Sequence, residues 1–167
     1  MNYFILIQTI VAYAVAIASL FGIYRLMDIY LKQKLKLETT NIAISLFQLG
    51  VLLSTANVLS SVVSPSMNAV RFLNQSSVDV TTVAISVAYI VGFVFVGLLA
   101  SILTIFGSVG IYFQLTAEDE WTELKSNNLK TAIVTSALIL GISIVIKDYI
   151  GHLCEALIPY PEIQFIG

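Results

Sequence analysis

Residues 110–141 read GIYFQLTAEDEWTELKSNNLKTAIVTSALILG. An apolar segment ends here, a short charged connector follows, and a second apolar segment begins. The same plan occurs earlier, in residues 22–54, which read GIYRLMDIYLKQKLKLETTNIAISLFQLGVLLS. Both stretches open on Gly-Ile-Tyr, and both reach an asparagine, Asn41 or Asn128, at the head of the second apolar segment. We interpret them as two copies of one helix–connector–helix unit.

Small residues recur at matching positions after each asparagine. They are Ser45, Gly50 and Ser54 in the first copy, and Ala132, Ala137 and Gly141 in the second. On a helical wheel that turns about 100° per residue, the first of each set lies about 40° from the asparagine, and the other two lie near about 180° and 220°. Small residues let helices approach closely in lipid. Their presence on two sides predicts helices that lie between neighbours.

The composition indicates an integral membrane protein. Of the 167 residues, 58% are hydrophobic and only 11% are charged, whereas roughly a quarter of an ordinary soluble domain is charged. The net charge of −2 argues against a nucleic-acid-binding protein, which needs a basic face. The lone Cys154 provides neither a disulfide framework nor a metal cluster, and such a thiol is more typical of packing than of function.

Four apolar runs reach or approach the roughly 20 residues needed to cross about 30 Å of hydrocarbon. They are Tyr3–Leu26, Ile42–Val63, Thr81–Phe113 and Leu129–Ile146. Because no water is present there to satisfy the backbone, each run is expected to be helical. The sequence therefore predicts an all-α integral membrane protein with four transmembrane helices. We expect a duplicated two-helix unit whose parallel copies are related by a pseudo-two-fold axis along the membrane normal.

The predicted divisions of the chain follow these runs. They are a first repeat (1–63), an external linker (64–79), a second repeat (80–156) and an external tail (157–167). The linker is rich in Ser, Asn and Gln and contains Pro65, so we expect a loop. Pro159 and Pro161 predict a short non-helical tail.

The basic residues predict the orientation in the membrane. Six of the eight Lys and Arg residues lie in or next to the connectors 27–40 and 114–128, and the other two are Arg71 and Lys147. The positive-inside rule then places both connectors in the cytoplasm and both termini outside. No basic residue precedes Arg25, so the first helix does not resemble a cleavable signal and is expected to stay in the mature protein.

The two connectors carry opposite charges. The first is basic with interleaved leucines, which suits a helix extension at the headgroup surface, where anionic lipid contributes about 1 kcal/mol per cation. The second surrounds Trp121, an expected interfacial anchor, with acidic residues that form a candidate partner patch: Glu118, Asp119, Glu120 and Glu123. Thr116 and Asp119 have the spacing of a helix-start capping box. The connectors either face each other through their charges or form two separate loops.

We single out four polar residues in or directly after the second and fourth apolar runs: Gln48, Asn57, Lys147 and Asp148. Such groups are costly in hydrocarbon, so they usually face a bundle interior or a pathway. For Gln48 and Asn57 we favour interhelical hydrogen bonds over ligand binding. Lys147 and Asp148 are expected to end the fourth helix at the interface, with the lysine side chain extending toward the headgroups.

Enzymatic chemistry has little support in the sequence. The one histidine, His152, follows Asp148 by four residues, and we favour an interfacial hydrogen bond over a catalytic pair. The sequence contains neither a phosphate-cradling glycine loop nor a His/carboxylate metal set. We therefore expect no catalytic residue, no metal and no cofactor.

The second copy contains the motif Asp119-Glu120-Trp121-x-Glu123-Leu124-Lys125, followed by Asn128 and Ala132. This motif resembles the YjfL-type family of bacterial inner-membrane proteins, domain of unknown function 350. In that family a two-helix unit, commonly present twice, has an asparagine at the head of its second helix. The first copy departs from the pattern because residues 28–40 are basic and contain no tryptophan. In the second copy, Lys130 replaces a small residue that is typical after Asn128. The resemblance implies a bacterial cytoplasmic membrane and work alongside phage-shock or stomatin-like proteins.

Three functions remain as hypotheses. The first is a non-enzymatic subunit of a membrane-stress or envelope-maintenance assembly, which forms a homo-oligomer or binds a partner through small-residue seams and the charged connectors. The second is a small oligomeric channel or transporter lined by Gln48, Asn57 and Asp148, although an unpaired charge deep in a span, which most such paths use, is absent from the sequence. The third is a membrane enzyme that acts on a lipid or envelope precursor through His152 and Asp148.

Overall fold

The computed structural model describes residues 3–36, 41–73, 80–116 and 119–158. Within these ranges the regular elements are six α-helices: α1 (Tyr3–Leu35), α2 (Ile42–Ser61), α3 (Val63–Leu73), α4 (Val80–Leu115), α5 (Glu120–Lys125) and α6 (Leu129–Ala156). Four stretches are long and apolar enough to cross a membrane, namely α1, α2 together with α3, α4, and α6. The predicted all-α class and the four helices of membrane-spanning length are confirmed.

The contact between α2 and α6 is the most extensive of any pair of described helices. The two helices run in the same direction, because Gly50 lies against Ser136 and, seven residues later in both helices, Asn57 meets Ser143. A Cβ built on Gly50 would lie 2.5 Å from the Cβ of Ser136, closer than real Cβ atoms approach. Glycine at this position therefore lets the two backbones come together.

Only part of the predicted small-residue packing occurs within one chain. Three of the six positions are buried: Gly50, Ser54 and Ala132. The other three are exposed: Ser45, Ala137 and Gly141. A Cβ on Gly141 would meet nothing within 4 Å, so no described helix covers that face of α6. Within one chain, α6 therefore has described neighbours on only one of its two predicted sides.

The first connector continues α1 past the predicted span as far as Leu35. Met27, Leu31 and Leu35 recur at one-turn intervals and are buried in a cluster with residues of α2, α4 and α5. The extension is therefore packed on protein along one face, in addition to any contact with headgroups. Lys32 and Lys34 lie in its last turn, where cations suit the negative end of the helix dipole.

Residues 64–73, predicted as part of a loop, lie in α3, and that prediction is wrong. Pro65 stands in the first turn of the helix, where its missing N–H costs little. The backbone N–H and the hydroxyl of Ser66 both donate to the carbonyl four residues earlier, at 3.1 and 2.6 Å. Ala69 is buried in a cluster with residues of α4 and α6, and such packing outweighs the weak local helix propensity. Residues 74–79 lie outside the described ranges.

The last helix, α6, continues beyond the predicted end of the fourth span. Lys147 and Asp148 lie inside it, so the prediction that they end the helix is wrong. The helix continues to Ala156. Its packed face extends about two turns beyond the predicted end, because Cys154 is fully buried. Of the predicted tail, residues 159–167 lie outside the described ranges.

Candidate functional site

Asn41 ties the start of α2 to the end of α5. It is the N-cap of α2, and its side-chain oxygen accepts a hydrogen bond from the backbone N–H of Ile44 at 2.8 Å. Its side-chain nitrogen donates to the carbonyls of Leu124 and Lys125 at 2.9 and 3.0 Å. One residue thus satisfies groups at two helix ends that have no partner within their own helices.

Asn127 and Asn128 complete this contact from the other side, and the three residues are called the asparagine junction below. The side-chain oxygen of Asn127 accepts from the backbone N–H of Ala43 at 2.9 Å. Its backbone has a φ of 65°, a conformation that asparagine tolerates better than most residues. Asn128 is the N-cap of α6 and donates its side-chain N–H to Glu123. Both asparagines of the sequence pattern therefore head a helix, and Asn127 is the member that sequence reasoning missed.

An aromatic cluster surrounds Trp121. The centroid of its ring lies 5.0 Å from that of Phe113 and 6.3 Å from those of Phe47 and Tyr30, with all three pairs edge-to-face. Such pairs contribute about 0.5–1.5 kcal/mol each beyond area burial. Trp121 therefore holds α5 against α1, α2 and α4, whatever contact its exposed edge makes with lipid.

Asp119 caps α5, although Thr116 was the expected helix start. The carboxylate of Asp119 accepts from the backbone N–H of Trp121 at 3.2 Å and from the hydroxyl of Thr122 at 2.7 Å. The hydroxyl of Thr116 instead donates to the carbonyl of Tyr112 at 3.1 Å. The predicted capping box is wrong because α4 continues almost to Thr116, and α5 can begin only after it.

The acidic residues predicted as a partner patch have different surroundings. Asp119 is exposed at the surface. Glu120 is only 3% exposed, and no described residue forms a hydrogen bond with its Oε1. Glu123 is partly buried and accepts the hydrogen bond from Asn128. Glu118 lies outside the described ranges, so Asp119 is the one described acid of the patch that is fully on the surface.

The described residues of the two connectors contact each other through aromatic rings. α1 touches α5, with Tyr30 edge-on to Trp121. In the part of the chain that the structure describes, the one ion pair joins Lys32 to Asp28 within α1, at 2.7 Å. The predicted facing of the connectors is therefore observed, but the expected pairing of acid with base does not occur among these residues.

The interior polar residues of α2 connect it to its neighbours. Gln48 is buried and donates to Asp28 of α1 at 3.3 Å. Asn57 donates to the hydroxyl of Ser143 in α6 at 3.1 Å. Both contacts are interhelical, and in lipid such hydrogen bonds stabilise helix association by roughly 0.6 kcal/mol on average.

Asp148 and His152 are exposed and line a shallow cleft of about 260 Å³ between α6 and the junction of α2 with α3. The other lining residues are Ser61, Ser64, Pro65, Gly151 and Glu155. Glu155 accepts a hydrogen bond from Asn68 at 3.0 Å. Lys147, partly buried, does not line the cleft. Within the described ranges, no three His, Cys, Asp or Glu side chains are placed to hold a metal ion.

Two apolar cavities lie along α1. The first, of about 240 Å³, separates the first half of α1 from α2, α3 and α4. The second, of about 170 Å³, separates the second half of α1 from Val51 of α2 and from Ile102, Ile105 and Phe106 of α4. The first cavity joins the first half of α1 to Ile90 and Val94, and the second joins the second half of α1 to residues further along α4. The two helices therefore also run in the same direction.

No protein-family model matches the chain, and no curated protein or solved structure is significantly similar to it. The resemblance to the YjfL-type family rests on the motif around Trp121 and on the two helix-capping asparagines, and it stays a prediction. A function must therefore be argued from the geometry of the described residues.

Proposed function

We propose that the chain is a non-enzymatic subunit of a membrane-stress or envelope-maintenance assembly in a bacterial cytoplasmic membrane. The proposal rests on one observation: polar side chains in and next to the spans form hydrogen bonds with other groups of the same chain. Gln48 donates a hydrogen bond to Asp28, Asn57 donates one to Ser143, and Asn41 donates to the end of α5. Side chains committed to one another hold helices together and are poorly placed to bind a substrate.

The proposed architecture is a duplicated two-helix unit with parallel copies. It is supported by α2 and α6, which run in the same direction and are each capped by an asparagine, Asn41 or Asn128. The distribution of Lys and Arg supports cytoplasmic connectors and external termini. The exposed small residues Ala137 and Gly141 of α6 support assembly into a homo-oligomer, because they permit close approach of another helix.

The proposed contact with a partner lies at the connector end of the bundle. Asp119, Lys125 and Lys130 are exposed there. The aromatic cluster and the asparagine junction fix the position of α5, which carries Lys125 and is capped by Asp119. A rigid charged surface favours recognition of a specific partner, because little ordering is required on binding. By the resemblance, the partner class is a phage-shock or stomatin-like membrane protein.

The test uses Asp119→Asn, which removes the charge but keeps a residue that caps helices well. Tagged wild type and variant are cross-linked in native membranes, and the recovery of phage-shock and stomatin-like proteins is quantified by mass spectrometry. We expect recovery to fall in Asp119→Asn. It should be unchanged in Asp148→Asn, a matched control in the second half of α6, away from the connectors. Equal recovery with all three chains would contradict the proposed surface.

A small oligomeric channel or transporter is the second candidate. It is favoured by Asp148, which is exposed inside the long helix α6, because a charge on a spanning helix often marks a pathway. Reconstituted liposomes distinguish the candidates over a range of membrane potentials. Ion flux above that of empty vesicles, reduced by Asp148→Asn, would support a channel, whereas flux equal to that of empty vesicles would reject it.

A further inference from the structure

The second of the two cavities along α1 has apolar walls and an open side. Its α1 wall consists of Ile23, Leu26, Met27 and Tyr30. Leu26 and Phe106, which stand at its edge, are 63% and 53% exposed. In a bilayer these exposed side chains face lipid, so the cavity opens sideways into the hydrocarbon and is accessible to part of an acyl chain.

An aromatic pair closes the connector end of this cavity. Tyr30 and Phe106 contact each other edge-to-face, with ring centroids 5.9 Å apart. Trp121 lies behind Tyr30, at a centroid distance of 6.3 Å. The rings mark the level at which the apolar wall of α1 gives way to the charged end of the helix.

Of the three cations of α1, only Lys34 lies on the same side of the helix as the cavity. Lys34 is exposed and follows Tyr30 by one helical turn, about 40° around the wheel. Arg25 and Lys32 lie on the other side of the helix, about 140° and 160° from Tyr30. Lys32 is also paired with Asp28. An apolar cavity below one lysine matches the two parts of an anionic phospholipid, an acyl chain and a phosphate.

We propose that this cavity binds one anionic phospholipid, with an acyl chain between α1 and α4 and the headgroup phosphate on Lys34. Several cations scattered around a helix would attract anionic lipid diffusely, whereas one cation above a cavity defines a site. The inference goes beyond the partner-binding proposal and does not depend on it. The lipid would hold α1, which is mostly exposed, against α4.

The single tryptophan of the chain provides the readout. The protein is reconstituted into phosphatidylcholine vesicles that contain a small fraction of phosphatidylglycerol, with brominated acyl chains on one lipid or on the other. Bromine quenches indole fluorescence only at short range, and Trp121 is separated from the cavity by the ring of Tyr30. We expect brominated phosphatidylglycerol to quench at a fraction at which brominated phosphatidylcholine has little effect.

Two variants with matched controls test the site. Lys34→Gln is expected to reduce the preference for phosphatidylglycerol about fivefold, the factor that corresponds to one cation near an anionic surface. Arg25→Gln, the same change of charge on the other flank of α1, is expected to leave it unchanged. Ile102→Phe fills the cavity and should abolish selective quenching, whereas Leu103→Phe, on the exposed face of α4, should not.

Three outcomes would overturn the proposal. Equal quenching by the two brominated lipids in the wild type would mean that the cavity has no preference for anionic lipid. An equal effect of Lys34→Gln and Arg25→Gln would mean diffuse attraction and no site. Quenching that weakens as the ratio of protein to lipid rises would place a second copy of the chain in the cavity instead of lipid.

Discussion

Asn41 makes contacts with two helices through one side chain, and this explains why an asparagine and not a serine or aspartate stands there. The N-cap position requires an acceptor, which Ser, Thr, Asp or Asn can supply. The carbonyls of Leu124 and Lys125 require a donor. The amide of asparagine carries the acceptor and two donor hydrogens on separate atoms, so it can serve both helix ends at once, whereas a serine hydroxyl has one hydrogen and a carboxylate has none. The position is therefore specified by tertiary structure as well as by helix capping.

We predict that Asn41→Ala lowers the free energy of unfolding in detergent by about 2 kcal/mol, the sum of a lost cap and a lost hydrogen bond. Asn41→Asp keeps the cap but cannot donate to α5. The decrease in unfolding free energy of Asn41→Asp therefore measures the hydrogen bonds to α5. Thermal unfolding followed by circular dichroism gives both values. Stability of Asn41→Asp equal to that of the wild type would mean that the bonds to α5 contribute nothing.

The hydrogen bond between Asn57 and Ser143 gives a second prediction for single residues. Asn57→Leu should loosen helix packing by roughly 0.6 kcal/mol without impairing membrane insertion, because leucine is favourable in hydrocarbon. Ser143→Ala and the double variant complete a cycle that isolates the pair. A double variant whose loss equals the sum of the two single losses would show that the contact has no coupling energy.

Among the helices, the approach of α2 to α6 depends on Gly50. Several small residues occur on both helices, and the helical wheel gives their directions but not which side another helix covers. Gly50 is in close contact with Ser136, whereas Gly141 meets open space. The two glycines look alike in the sequence and differ only through the position of neighbouring helices.

We predict that Gly50→Ala destabilises the protein by about 1–3 kcal/mol, the usual cost of overpacking. The added methyl group would meet the Cβ and backbone of Ser136, and neither can rotate away. Gly141→Ala is the matched control and should be neutral or slightly stabilising, because alanine favours helix over glycine. Chemical cross-linking and thermal unfolding are compared for both variants; equal stability of the two would contradict the tight α2–α6 contact.

Some elements could be predicted from the sequence because their cause is local. The apolar runs of α1, α2, α4 and α6 are long enough to require helices in lipid, and an asparagine before an apolar run is a strong capping signal. By contrast, α3 has a largely polar sequence and depends on the burial of Ala69 and Val70. The role of Asn127 depends on contact with α2, which is far away in the chain. The inward packing of Trp121 has the same origin. Sequence patterns carry no information on such partners.

For the whole molecule, the alternation of connectors and spans gives the last prediction. If α1, the α2–α3 pair, α4 and α6 each cross the membrane once, residues after α1 and before α6 must lie on one side, and residues after α3 and after α6 on the other. Lys36, Ser126, Arg71 and Leu157 are exposed at these four places. Single cysteines at Lys36 and Ser126 should react with a membrane-impermeant thiol reagent from the cytoplasmic side, because the basic residues cluster there. Cysteines at Arg71 and Leu157 should react only from the outside.

Cys154 is fully buried, so the wild type should give little background labelling and serves as the control. The two parts of the prediction fail separately, because they have different causes. Labelling of Lys36→Cys and Ser126→Cys from the outer side alone would reverse the orientation but preserve the parallel relation of the two units. Labelling of these two positions from opposite sides would mean that α2 and α6 enter the membrane from different faces. Two such helices could not run in the same direction with Gly50 against Ser136, so that result would remove both the duplicated architecture and the contact on which the bundle depends.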